Sequence, residues 1–160
     1  MRRIGIWAFV LLLVGSSACA SASGPRPEQM AAVAPMLSVE RFLQAANVRD
    51  LEAMARIFGT AGGPIADRAG NSFGCAFKRM GSWIGLGDPC LSWSEIELRM
   101  NVIAMILEHD VYRVRGEANV PGRGRPTTRI GVDLERGNQR YPDIPFVVVQ
   151  TGDGRWLVEE

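Results

Sequence analysis

The sequence predicts an α+β domain: a curved antiparallel sheet of four or more strands wrapped on one long helix, with two short helices before it. Three observations carry this. Residues 94–109, "SEIELRMNVIAMILEH", hold apolar side chains at helical spacing throughout. Residues 111–134 and 144–158 alternate apolar and polar side chains between turn-forming Gly, Pro and Asp-Gly. Between 38 and 59, two shorter segments repeat apolar residues at i, i+3, i+4 and i+7, each opened by a capping Ser or Asp.

Ahead of that domain, the first 35 residues divide in two. Met1-Arg2-Arg3 is a short basic start, and Ile4–Val14 is an apolar run of eleven residues. Crossing a bilayer takes about 20 residues, so the run fits the core of a secretory signal peptide, residues 1–18. Ser16-Ser17-Ala18-Cys19 is similar to the lipobox of bacterial lipoproteins, with Ser16 where that pattern usually has Leu. This predicts lipidation at Cys19 and a membrane-anchored protein of the cell envelope. The alternative is cleavage after Ala20 or Ala22 and a soluble periplasmic or secreted product. Residues 20–27 are small, polar and Pro-containing, the composition of a flexible tether, which is expected to span 19–35. Two or more acyl chains, at about 0.8 kcal/mol per buried CH₂, suffice for stable anchoring.

Removing residues 1–18 takes Arg2 and Arg3 from the 18 basic residues, leaving 16 against 17 acidic ones. That balance argues against nucleic acid as a partner. The remaining length suits one domain, residues 36–160, with a core of its own. Within it, Ser38 is the predicted cap of a helix burying Val39, Phe42, Leu43 and Ala46. Asp50 caps a second, burying Leu51, Met54, Ala55 and Phe58, with Gly59 as its stop.

Residues 60–92 are rich in glycine and break every periodic pattern. Consuming Cys19 leaves Cys75 and Cys90 as an even pair. A disulfide between them closes a loop of about 15 residues, worth about 3 kcal/mol in the chain-entropy model. A metal site joining these thiols to His109 lacks paired ligand spacing, so neither metal nor cofactor is expected.

The long helix is expected to open on a capping box, Ser94 with Glu97. Its stripe is Ile96, Met100, Ile103 and Leu107, flanked by Val102 and Ile106. Four strands follow as a meander: 112–120, 128–134, "IPFVVVQ" and "RWLVEE", the last two joined at Thr151-Gly152-Asp153-Gly154. The inward residues are then Tyr112, Val114, Ala118, Val120, Thr128, Ile130, Val132, Leu134, Phe146, Val148, Trp156 and Val158. If residue 120 faces 128, Arg115 meets Asp133 and Arg113 meets Glu135 across the strands, neutralising a basic hairpin. Only Arg123 and Arg125, on the turn, are left without an evident partner.

This order, with "VERFLQAANVRDLEAMARIFG" at 39–59 and the closing "DGRWLVEE", resembles the nuclear transport factor 2-like superfamily over residues 36–160. The resemblance implies a sheet curled into a cone around the long helix, with a pocket at its open end. Enzymes of that superfamily, ketosteroid isomerase and scytalone dehydratase among them, place acids, histidines or tyrosines inside the cone. The inward positions here hold no carboxylate and no histidine, and no family catalytic residue transfers onto this chain. The expected function is non-catalytic: binding a small apolar ligand or a protein partner, with Tyr112, Thr128 and Trp156 lining the site. The superfamily resemblance also implies a homodimer through the sheet. The alternative is a small isomerase, dehydratase or hydrolase acting through Asp67, His109 or Asp110.

Overall fold

The computed structural model describes residues 34–70, 75 and 90–159. The predicted signal segment 1–18, Cys19 and the tether as far as residue 33 lie outside the described residues, as do 71–74 and 76–89.

Helix α1, Pro35–Asn47, begins with proline in its first turn, where a fixed φ and a missing N–H cost nothing. It therefore starts before Ser38, which is no cap. Ser38 is fully buried instead, and its hydroxyl donates to the Trp156 carbonyl at 2.7 Å. Val39, Phe42, Leu43 and Ala46 are buried as predicted. Helix α2, Leu51–Ile57, is capped by Asp50, whose Oδ1 accepts from Ala53 N at 2.9 Å. The chain then runs straight into strand β1, Phe58–Thr60. Gly59 belongs to that strand rather than ending the helix: a Cβ there would lie 2.3 Å from the Gly63 carbonyl oxygen of β2, Gly63–Pro64.

A 3-10 turn, Ile65–Arg68, leads to β3, Ala69–Gly70, which pairs in parallel with β4, Leu91–Ser92. Cys75 and Cys90 form a disulfide, and its sulfurs sit on Gly70. Any Cβ at Gly70 would fall 2.5 Å from one sulfur and 2.8 Å from the other.

Helix α3, Trp93–Ile106, opens on a capping box, but the pair is Ser92 and Glu95, not Ser94 and Glu97. Both spacings exist in the sequence. Pairing of Ser92 with β3 fixes where extended chain ends, and that selects the earlier box. Ile96, Met100 and Ala104 are buried and Ile103 is half-buried, while Val102 and Ile106 are 42% and 72% exposed. The predicted stripe is thus narrower than expected. Its neighbours explain why: α3 packs on α1 and α2, and α1 is the helix lying against β6, β7 and β8. The buried stripe of α3, Ile96, Met100, Ala104 and then Leu107, still joins Ile130, Val132 and Leu134 of the sheet in one core.

The strands are β5 (Val111–Asn119), β6 (Thr127–Arg136), β7 (Gln139–Gln150) and β8 (Trp156–Glu159). β7 starts five residues before the predicted Ile144, because β6 and β7 continue to a turn at Gly137, φ 57°. The sheet has six strands in the order β2-β1-β8-β7-β6-β5. All its pairs are antiparallel but one: β1 runs parallel to β8, with Phe58 opposite Val158.

The β5–β6 register carries a bulge between Val114 and Gly116. Tyr112 and Val114 stand opposite Leu134 and Val132, two residues from the register expected, and beyond the bulge Glu117 meets Ile130 and Asn119 meets Thr128. One inserted residue flips the side-chain alternation. Glu117 and Asn119 therefore fall in register with Ile130 and Thr128 in place of Ala118 and Val120, but at this end of β5 both remain exposed. Across the sheet, Thr128, Val148, Val158 and Phe58 form one buried row.

Candidate functional site

Four separate segments converge on one open cleft of about 420 Å³. α2 supplies Glu52 and Arg56, the 3-10 turn Asp67, the first residue of α3 Trp93, and the β7–β8 turn Arg155. Pro64 and Ala66 form the apolar part of its wall.

Glu52 and Arg56 are one turn apart on α2 and form an ion pair. The acid in the first turn and the base in the last also suit the helix dipole. Arg155 Nε donates to Asp153 Oδ2 at 2.6 Å. The Thr151 hydroxyl donates to Asp153 Oδ1, and together with Arg155 it holds the Asp153 carboxyl below the ordinary carboxylate range. Trp93 Nε1 donates to Glu97 Oε1 at 2.8 Å, so the indole meets the cleft with its ring and not its N–H. Asp67 is exposed and makes no hydrogen bond or ion pair to a described residue. A negative charge with no partner among the described residues, two guanidiniums tied by one edge only, and an aromatic surface all share one hollow.

The other residues singled out from sequence lie elsewhere. His109 is buried at the far end of α3, about 20 Å from Trp93 at 1.5 Å per residue. Its Nδ1 stands 2.7 Å from the Leu107 carbonyl, which only accepts, so Nδ1 carries the ring proton. Nε2 then accepts from Asn47 Nδ2 at 3.3 Å. The same Asn47 donates to the His109 carbonyl at 2.8 Å and accepts from its N–H at 3.1 Å. Both ring nitrogens are thereby engaged in joining α1 to the end of α3. Asp110 Oδ2 accepts from Gly137 N at 2.6 Å and closes the β6–β7 turn. Asp67, His109 and Asp110 do not meet.

Nor do Tyr112, Thr128 and Trp156 form one lining. Tyr112 packs edge-on against His109 with ring centroids 5.5 Å apart. Thr128 is 2% exposed in a filled row, six residues along β6 from the partner of Tyr112, about 20 Å. Trp156 is half-buried over α1 through Ser38. Among these candidates only Asp67 reaches the cleft. Glu52, Arg56, Trp93 and Arg155 carried no sequence signal beyond an i,i+4 pair on α2.

The arginines of the β5–β6 hairpin are largely neutralised. Arg115 pairs with Asp133 at 3.1 Å and Arg129 with Asp143 at 3.3 Å. The bulge sets Arg113 opposite Asp133 rather than Glu135, which pairs with Arg140 at 2.9 Å. Arg123 does have a partner, Glu159 of β8, against the sequence expectation. A second hollow of about 460 Å³ is framed by this turn, residues 119–127, mainly by backbone, glycine and proline.

No group of three or more metal-ligating side chains occurs among the described residues, and no described helix is long and apolar enough to cross a membrane. No protein-family model, curated protein or solved structure matches this chain.

Proposed function

We propose that this chain is an exported lipoprotein of the cell envelope, anchored through Cys19, whose α+β domain binds a small ligand without transforming it. The domain is read as a member of the nuclear transport factor 2-like superfamily on the sequence resemblance and the compatible mostly antiparallel sheet. The basic start, the short apolar run, the small residues before Cys19 and the polar tether support export and anchoring.

The cleft at the start of α3 carries the binding reading. Its lining offers a carboxylate with no partner among the described residues, half-used guanidiniums and an indole ring, groups that recognise a ligand by charge and stacking. General acid–base work needs a proton-transferring group beside its orienting partner. The residues named for such work are divided between the two ends of α3, which favours binding over the isomerase or hydrolase alternative. Four charged side chains in the lining also favour a polar ligand over the apolar one expected from sequence.

Intact-mass analysis of the membrane fraction tests the anchor. Diacylglycerol on wild type, absent from Cys19→Ala, is the expected result; a soluble, unmodified form starting at Ser21 or Ser23 sinks it. The indole resonance of Trp93 in ¹H–¹⁵N spectra, assigned with Trp93→Phe, tests the cleft against a chemically diverse small-molecule set. A signal that no compound shifts removes the binding reading.

A further inference from the structure

The lining also specifies a kind of ligand, an inference that rests on the cleft being the binding site. We propose that the cleft selects small zwitterions, with the ligand ammonium between Asp67 and the Trp93 ring and its carboxylate on the Arg155 guanidinium.

Two of the charges in the lining are already answered. Arg56 is paired with Glu52, and Arg155 with Asp153 through Nε alone. A guanidinium carries five N–H donors, so Arg155, with its side chain 34% exposed, keeps its terminal nitrogens for a planar acceptor. A carboxylate fits such a fork in two-point fashion. Asp67 is the opposite case, an exposed carboxylate with no described partner. Beside it in the lining, Trp93 has its N–H committed to Glu97 and offers its π-surface, which attracts a cation and most readily a poorly hydrated alkylammonium.

Ligands of a single sign fit badly. A bare cation that satisfies Asp67 must also face Arg56 and Arg155, and a bare anion on Arg155 must face Asp67 and Glu52. A molecule bearing both charges answers both sets at once. The volume, about 420 Å³, lies toward the small end of ligand sites, as a compact zwitterion requires.

The test uses the full mature chain and three probes at constant ionic strength: glycine betaine, tetramethylammonium chloride and sodium acetate. Each is titrated while the Trp93 indole resonance is followed. The expected result is a betaine Kd at least about tenfold below that of either half, the size of one charge-assisted hydrogen bond. Asp67→Asn and Arg155→Gln each weaken betaine by about tenfold on the same grounds, and unchanged thermal melts certify that both variants are folded. Betaine binding no tighter than tetramethylammonium or acetate overturns the proposal, as does binding indifferent to Asp67→Asn. If other compounds shift the Trp93 resonance while betaine does not, zwitterion selection falls and the binding cleft stands. If nothing shifts it, both fall.

Discussion

The two ends of α3 hold polar residues in equal supply and use them in opposite ways. At its C-terminal end, Asn47 and His109 consume one another: three hydrogen bonds pass between them and the ring proton goes to the Leu107 carbonyl. His109 is buried although Asn47 is exposed, so a bond lost there leaves a shielded histidine atom without its partner. At its N-terminal end, the disulfide, β4 and the capping box fix the helix from behind, while Asp67, Trp93 and Arg155 face an open hollow. The difference teaches where recognition can reside. Polar groups satisfied by their neighbours hold the fold, and those left unsatisfied beside a cavity are available to a ligand.

Several variants can break or sharpen that contrast. The largest effect is expected at the covalent clasp: Cys75→Ser with Cys90→Ser should cost about 3 kcal/mol in urea unfolding, the chain-entropy value for a loop of this length. Next, Asn47→Ala should cost about 2 kcal/mol, because His109 loses partners in a shielded place. If Asn47→Ala is neutral, the C-terminal junction is not the closed lock described above. At the other end, Ser92→Ala removes half of the capping box and should cost about 1 kcal/mol by the same melt. Asp67→Asn should move stability by no more than about 0.5 kcal/mol, as for an exposed residue without partners. A loss of 2 kcal/mol there would mean that Asp67 serves the fold.

The smallest effect concerns acid. The folded Asp153 carboxyl sits below its unfolded value of 3.8 because of Thr151 and Arg155. Its stabilisation is complete above that pH and is lost as pH falls through the lower folded value. Asp153→Asn should therefore flatten this part of the acid limb of stability, read from melts between neutral pH and pH 2.5. It should also loosen Arg155 in the cleft, giving weaker ligand binding with little change in neutral-pH stability.

Much of the fold was legible because its signals are local. Asp50 caps α2 as its position before an apolar repeat implied, and Thr151–Gly154 joins the last two strands. Arg115 does find Asp133. The misses are non-local or turn on a single residue. The strand pattern gave no warning that an extra residue sits beside Gly116, yet it shifts the register of everything after it and sets Glu117, still exposed, opposite Ile130. Two capping boxes were written two residues apart, and only the pairing of β3 with β4 decides between them. The cleft was the least legible part. Its walls come from α2, a 3-10 turn, α3 and the β7–β8 turn, and of its polar lining only Asp67 stood out among the loop residues.

The parallel contact of β1 with β8 bears on how such a molecule is made. Phe58 and Gly59 must wait for Val158 and Glu159 before their side of the sheet can zip shut. Pairings between such distant positions form slowly. Until they arrive, the β1 edge stays unpaired on that side and open to any other extended segment.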